Sequence, residues 1–168
     1  PEYAYNGTIG IIKSLKLSNW GNINIRLTGF GTILDNMITK DDYYLNGSPT
    51  LNWNGENYTV IANQNEESGL VYGFNHALDI SINSFQFQYA LNYTKGFITS
   101  KLTPIGHIPP LTGSIYLNYN KNKCSFSLFS FFNGTKKITD FGTGNVDNPL
   151  EATPEGYPSW YTINAVSY

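Results

Sequence analysis

Six residues combine side-chain types suited to holding a small molecule: Asp41, Asp42, Tyr43, Tyr44 and Trp53 in one stretch, and His107 in another. Exposed rings stack on sugars or porphyrins, and an imidazole just before Pro109-Pro110 could ligate a haem or a metal ion. The same first stretch equally suits a solvated loop packed on its own aromatics, and a loop histidine without a nearby partner is read here as structural. His76 falls on an apolar strand face and carries no ligand argument. Cys124 is the single cysteine, so it has neither an internal disulfide partner nor metal-site spacing. No pair of carboxylates, no Ser-His-Asp arrangement and no glycine-rich phosphate loop can be assembled, so no catalytic residue, metal, cofactor or enzymatic activity is expected. A formal charge of -2 with Arg26 as the lone arginine excludes the basic stripe of a nucleic-acid binder.

The elements that must position these residues are strands. Residues 85–93 place Phe85, Phe87, Tyr89, Leu91 and Tyr93 on one parity and Gln86, Gln88, Ala90 and Asn92 on the other, giving one greasy and one polar face. The same alternation marks strands at 2–17, 23 to about 39, 70–82, 111–119, 124–133 and 160–168. A small hairpin inside 40–66 is expected at Leu51-Asn52-Trp53 and Tyr58-Thr59-Val60, turning at Asn54-Gly55. Charged residues make up only 13% of the 168 residues, against about 25% in ordinary soluble domains. Asn, Ser, Thr and Tyr stand where Lys and Glu usually solvate a surface, so much of the outside does not meet bulk water.

The connections alternate strictly between short and long. In an up-and-down meander this gathers the short turns at one end and the long loops at the other, as in outer-membrane barrels with tight periplasmic turns and long outer loops. Greek-key sandwiches have no reason to sort their loops so. Tyr3, Tyr5, Trp20, Phe85, Tyr93 and Tyr119 fall near strand ends on the greasy parity, where interfacial aromatics belong. Glu2, Arg26 and Asp79 fall on the polar, lumenal parity. The fold class expected is therefore all-β, an antiparallel up-and-down transmembrane barrel segment of about seven strands. A complete porin-like channel is disfavoured, because single-chain bacterial barrels have even strand numbers.

Several motifs in register resemble one family. Pro1-Glu2-Tyr3-Ala4-Tyr5-Asn6, Phe30-Gly31-Thr32-Ile33-Leu34-Asp35-Asn36-Met37-Ile38, Ala62-Asn63-Gln64-Asn65 with Val71-Tyr72-Gly73-Phe74, Ile108-Pro109-Pro110-Leu111-Thr112-Gly113, and Pro158-Ser159-Trp160-Tyr161-Thr162-Ile163-Asn164 are similar to the C-terminal barrel of TonB-dependent outer-membrane receptors, most of all the Bacteroidetes-type members. Asn75 departs from that pattern, which has an acidic residue after Tyr-Gly-Phe. The resemblance implies that residues 1–168 are part of a barrel of about 22 strands, without its plug domain and last strands. It further implies location in the bacterial outer membrane, contact with its lipid, and import of a scarce solute (iron chelate, haem, vitamin or oligosaccharide) driven by the TonB complex through a plug. The solute, whether small molecule or glycan, would meet the loops at 41–53, 101–107 and 134–156. The competing expectation is a soluble β-sandwich that binds carbohydrate.

Overall fold

The computed structural model describes residues 2–65 and 68–167. Seven rows of strand form one antiparallel sheet in chain order. They are β1 (Tyr3–Leu17), β2 (Gly21–Asp35), β3 (Ser68–Ile82), β4 (Phe85–Ile98), β5 (Thr112–Lys121), β6 (Cys124–Asn133) and a last row in two pieces, β7 (Trp160–Tyr161) and β8 (Asn164–Ser167). The β1–β2 ladder runs without a bulge from Tyr3↔Asp35 to Leu17↔Gly21, and β2–β3 from Gly21↔Ile82 to Asp35↔Ser68. Regular alternation explains this. An inserted residue would turn the greasy face of one strand onto the polar face of the next.

The turn ends hold only Ser18–Trp20, Asn83–Ser84 and Asn122–Lys123, with Ser18, Asn83 and Asn122 at positive φ. The connections at the opposite end span 36–67, 99–111 and 134–159. An all-β, up-and-down barrel-wall segment is therefore what these residues form. No helix among them is long and apolar enough to cross a membrane, and it is the strands that have the length to do so.

Several boundaries differ from those read in the sequence. β2 stops at Asp35 rather than near residue 39, because Asn36 enters the left-handed region at φ 53° and the next segment, Ile38–Asp42, pairs instead with Ile61–Asn65. β4 continues past residue 95 to Ile98. β5 begins at Thr112 rather than Leu111, whose carbonyl accepts the Gly134 N–H at 2.7 Å beyond the end of the ladder. The seventh row breaks at Thr162–Ile163, yet register against β6 is the same on both sides, and the Thr162 N–H still donates to the Phe131 carbonyl at 2.8 Å. Tyr168 and Pro1 lie outside the described residues.

The two faces sort as the alternation requires. Ile23, Ile25 and Leu27 of β2 oppose Ile80, Leu78 and His76 of β3, which in turn oppose Phe87, Tyr89 and Leu91 of β4. Aromatics bracket this stripe. Phe85 and Tyr119 meet at 4.8 Å near the turns, while Phe74–Tyr93 (5.6 Å) and Tyr72–Phe97 (6.5 Å) lie toward the long loops. From Phe85 to Tyr93 is about 27 Å along the strand at about 3.4 Å per residue, or about 20 Å in height at a tilt of about 40°, and reaching Phe97 adds about 10 Å; the two spans bracket the apolar band of about 25 Å typical of outer-membrane barrels. Among the described hydrophobic residues only Met37 and Ile98 are buried, and both sit at the loop end. A sandwich would bury one face against a second sheet about 10 Å away. The wall strands form a single sheet instead, so the expectation of a sandwich architecture is corrected.

Arg26 and Asp79 do face the polar side, where Asp79 accepts from Gln86 (3.0 Å), Gln88 (2.6 Å) and Ser81 (3.3 Å). Glu2, at the loop end of β1, has a further role: its carboxylate accepts the Ile38 N–H at 2.6 Å and ties down the start of the first long loop. Lys13 falls on the greasy parity opposite Ile25, near the Leu17 end of β1, where its stem can carry the ammonium toward the interface.

His76 is another polar group on the greasy face, as are Lys95 opposite Tyr72 and Ser130 opposite Ile115. Its Nδ1 lies 2.7 Å from the Tyr89 hydroxyl, with ring centroids 5.2 Å apart. In hydrocarbon an unpaired imidazole nitrogen would lose that partner and find no water. Tyr89→Phe is therefore expected to destabilise the protein in lipid vesicles by about 1–3 kcal/mol, with His76→Leu/Tyr89→Phe recovering most of the loss. Denaturant unfolding from vesicles reads both.

Candidate functional site

The candidate site is the cluster of three long loops, and it is built from the wall outward. The first loop opens with the hairpin Ile38–Asp42/Ile61–Asn65, from which a second hairpin, Thr50–Trp53/Glu56–Thr59, projects as an arm. The expected hairpin about Asn54-Gly55 is present at this place. Both turn residues have positive φ, 52° and 88°, the pairing a type I′ turn requires. Nothing stands within 4 Å of where a Gly55 Cβ would sit. Gly55→Ala should thus cost the arm only the backbone strain, about 1–2 kcal/mol, seen as faster amide exchange across the arm with the wall unaffected.

Beneath the loops, Met37, Ile105 and Ile108 lie against the inner side of the wall at two glycines. A Cβ on Gly69 would come within 2.5 Å of Met37 Sδ, and one on Gly96 within 2.5 Å of Ile108 Cδ1. These absent side chains admit the loop's apolar residues and form the small buried core with Ile98.

The third loop folds back over the second around one carboxylate. Asp147 accepts from Lys136 Nζ at 2.6 Å, from the Gly142 N–H at 2.7 Å and from the His107 N–H at 3.0 Å. Lys136 and Asp147 side chains are only 9% and 6% exposed. Burial pushes the Asp147 pKa up, but the Lys136 ammonium and the two backbone N–H groups outweigh it and hold the carboxyl below its usual range. The Tyr157 hydroxyl donates to the carbonyls of Asp147 and Asn148, and the Tyr157 ring stacks on Phe141 at 5.3 Å. Thr143 donates to the Lys40 carbonyl at 3.2 Å, and Lys101 pairs with Asp41 at 2.7 Å, so all three loops are tied together.

The residues singled out in the sequence do not converge on one point. Asp41 is held in its ion pair, with its pKa lowered chiefly by the Lys101 hydrogen bond. The Asp42 carbonyl accepts from Gln64 at 2.8 Å. Tyr43 and Tyr44 are 44% and 64% exposed beside it, and Trp53 is 64% exposed on the projecting arm. His107 sits on the second loop at φ 61°, its side chain exposed and its backbone N–H bound by Asp147. Among the described residues no group of three His, Cys, Asp or Glu could hold a metal ion.

Two grooves are present that strand parity alone did not reveal. One, of about 520 Å³, opens where the second loop leaves β4: Thr103–Pro104 pairs with Phe97 and Ile98, whereas β5 rejoins β4 only at Asn92. It is lined mainly by apolar groups, among them Tyr93, Leu102, Ile105, Ile108 and Leu111, with the Lys95–Asp140 ion pair at its side. The other, of about 410 Å³, lies on the polar wall face among Ser14, Asn24, Arg26, Asp79, Gln88 and Tyr116. Both have the size of small-molecule clefts.

No family model and no curated protein matches this chain. A solved fold does. The chain superposes on the copper transporter OprC with a TM-score of 0.69 and 12% sequence identity, covering 99% of this chain and 23% of that one. At that identity the likeness shows the fold alone: the continuous sheet, its strand order and its sorted loops match part of OprC, and the chain spans about a quarter of that protein's length.

Proposed function

We propose that this chain is a wall segment of an outer-membrane receptor that imports a scarce solute with TonB-coupled energy, as the motifs shared with that family imply. The observation that carries the reading is the sorting of connections on an uninterrupted antiparallel sheet whose outward face is greasy and bounded by two aromatic bands. Water offers such a face nothing, whereas lipid does, and the long antiparallel ladders pair the interior strands along most of their length, as hydrocarbon demands. Superposition on OprC over 99% of the chain supports the transporter part. On this reading the loops tied by Asp147 and the arm bearing Trp53 meet the solute, the polar face with Arg26 and Asp79 lines the lumen, and a plug domain makes the link to TonB.

The test is partitioning. Purified protein should give a β-rich far-UV circular dichroism spectrum in detergent micelles and aggregate in plain buffer. A monodisperse protein that melts cooperatively in buffer would overturn the membrane reading. With the membrane established, loss of solute uptake on collapsing the proton gradient tests the energy coupling separately.

A further inference from the structure

The arm that projects from the first loop has two unlike faces. Cross-strand register pairs Leu51 with Tyr58 and Trp53 with Glu56, which puts these four on one side, and pairs Thr50 with Thr59 and Asn52 with Asn57 on the other. The second side satisfies itself, Asn52 Nδ2 donating to Asn57 Oδ1 at 3.0 Å. The first does not: Leu51, Trp53 and Tyr58 are 47%, 64% and 51% exposed. Tyr58 donates its hydroxyl to Glu56 Oε2 at 2.7 Å, which fixes ring and carboxylate together. Glu56 Oε1 and the Trp53 indole N–H have no hydrogen-bond partner among the described residues, so an acceptor and a donor stand open beside two exposed rings.

We propose that this face is a carbohydrate platform, on which Trp53 and Tyr58 stack against sugar rings while Glu56 and the Trp53 indole N–H hydrogen-bond sugar hydroxyls. A pyranose has an apolar face of C–H groups and a rim of hydroxyls, and the arm offers the complement of both. Size favours a sugar over a protein. Four residues per strand at about 3.3 Å each and two strands about 5 Å apart make a face about 13 Å long and about 10 Å wide, on the order of 130 Å² against the about 800 Å² that each partner of a stable protein interface contributes. Trp53 and Tyr58 are diagonal neighbours across the hairpin, at a spacing of about 7–8 Å that leaves room for adjacent rings of an oligosaccharide. Capture at the arm does not require that the sugar be the imported solute, so this inference stands or falls apart from the transport reading.

The protein in detergent micelles is titrated with maltohexaose, cellohexaose and xylohexaose while tryptophan emission and its quenching by acrylamide are followed. At least one sugar should shift the emission and protect it from quenching. Trp53→Ala should weaken that sugar at least tenfold, Trp53→Phe no more than about threefold, and Trp160→Phe not at all. Glu56→Gln should weaken binding while amide exchange across the arm stays unchanged, a split that a purely hairpin-stabilising role would not produce. No response to any of the three sugars, or binding that survives Trp53→Ala, overturns the proposal. Protection of Trp53 that depends on protein concentration and needs no sugar would assign the face to a second copy and overturn it as well.

Discussion

Asp147→Ala is expected to release the third loop from the second and to cost the loop cluster about 3–5 kcal/mol, the usual loss when one member of a buried ion pair is removed. The ammonium of Lys136, 9% exposed, would be left without its anion, and the N–H groups of Gly142 and His107 would lose their acceptor. Amide exchange at Gly142 and His107 should accelerate by about a hundredfold or more, and protease should cut within 134–159, while the wall keeps its β spectrum. Lys136→Met combined with Asp147→Leu should restore part of the protection, because the uncompensated charge is gone. The wild-type protection should also depend on pH. The folded carboxyl titrates below the unfolded value of about 3.9, so its contribution is complete above that value and is lost as pH falls through the lower, folded pKa. Exchange protection should therefore hold from neutral pH to about 4 and fail only below it. Unchanged exchange at Gly142 in Asp147→Ala would show that the loop is held by other contacts.

Leu27→Arg should have the next largest effect. Leu27 lies near the middle of β2 on the greasy face, between Ile11 and His76. A guanidinium there would face hydrocarbon and cost about 2–4 kcal/mol. Its neighbour Thr28 points to the polar side, so Thr28→Arg should cost little. Folding yield and unfolding free energy in lipid vesicles distinguish the two. Equal effects of both substitutions would mean that parity does not separate lipid from lumen and would remove the basis of the membrane reading.

Much of the wall was legible because strand parity is a local signal. Phe85 through Tyr93 announces its two faces without reference to any other residue, and β6 was bounded correctly by its own turn residues. The type I′ turn at Asn54-Gly55 was legible for the same reason. What escaped was set at a distance. Residues 38 and 39 continue the β2 pattern, and nothing local reveals that Ile38–Asp42 will leave the wall to pair with Ile61–Asn65. Asp147 lies 40 residues from His107, whose N–H it binds, and no spacing announces their meeting. Lys136, read only as part of a long loop, is the buried cation at its centre. Glu2 shows its face by parity, but parity says nothing about depth, and its bond to the Ile38 N–H was not legible. The residues suspected of binding were found spread over two loops and an arm, because composition marks which side chains can bind but not which of them fold toward one another.

The direction of the strands governs self-association. β1 and the β7–β8 row border the sheet, and both run from the long-loop end to the turn end. Two copies side by side in the same orientation would present these borders as parallel neighbours, whereas every ladder within the wall is antiparallel. A copy that met the other border-to-border with antiparallel pairing would have to be inverted, with its long loops on the wrong side of the bilayer. Strand direction thus acts against border-to-border joining of two copies of this segment, alongside the charges of Lys13 and Lys16 on β1.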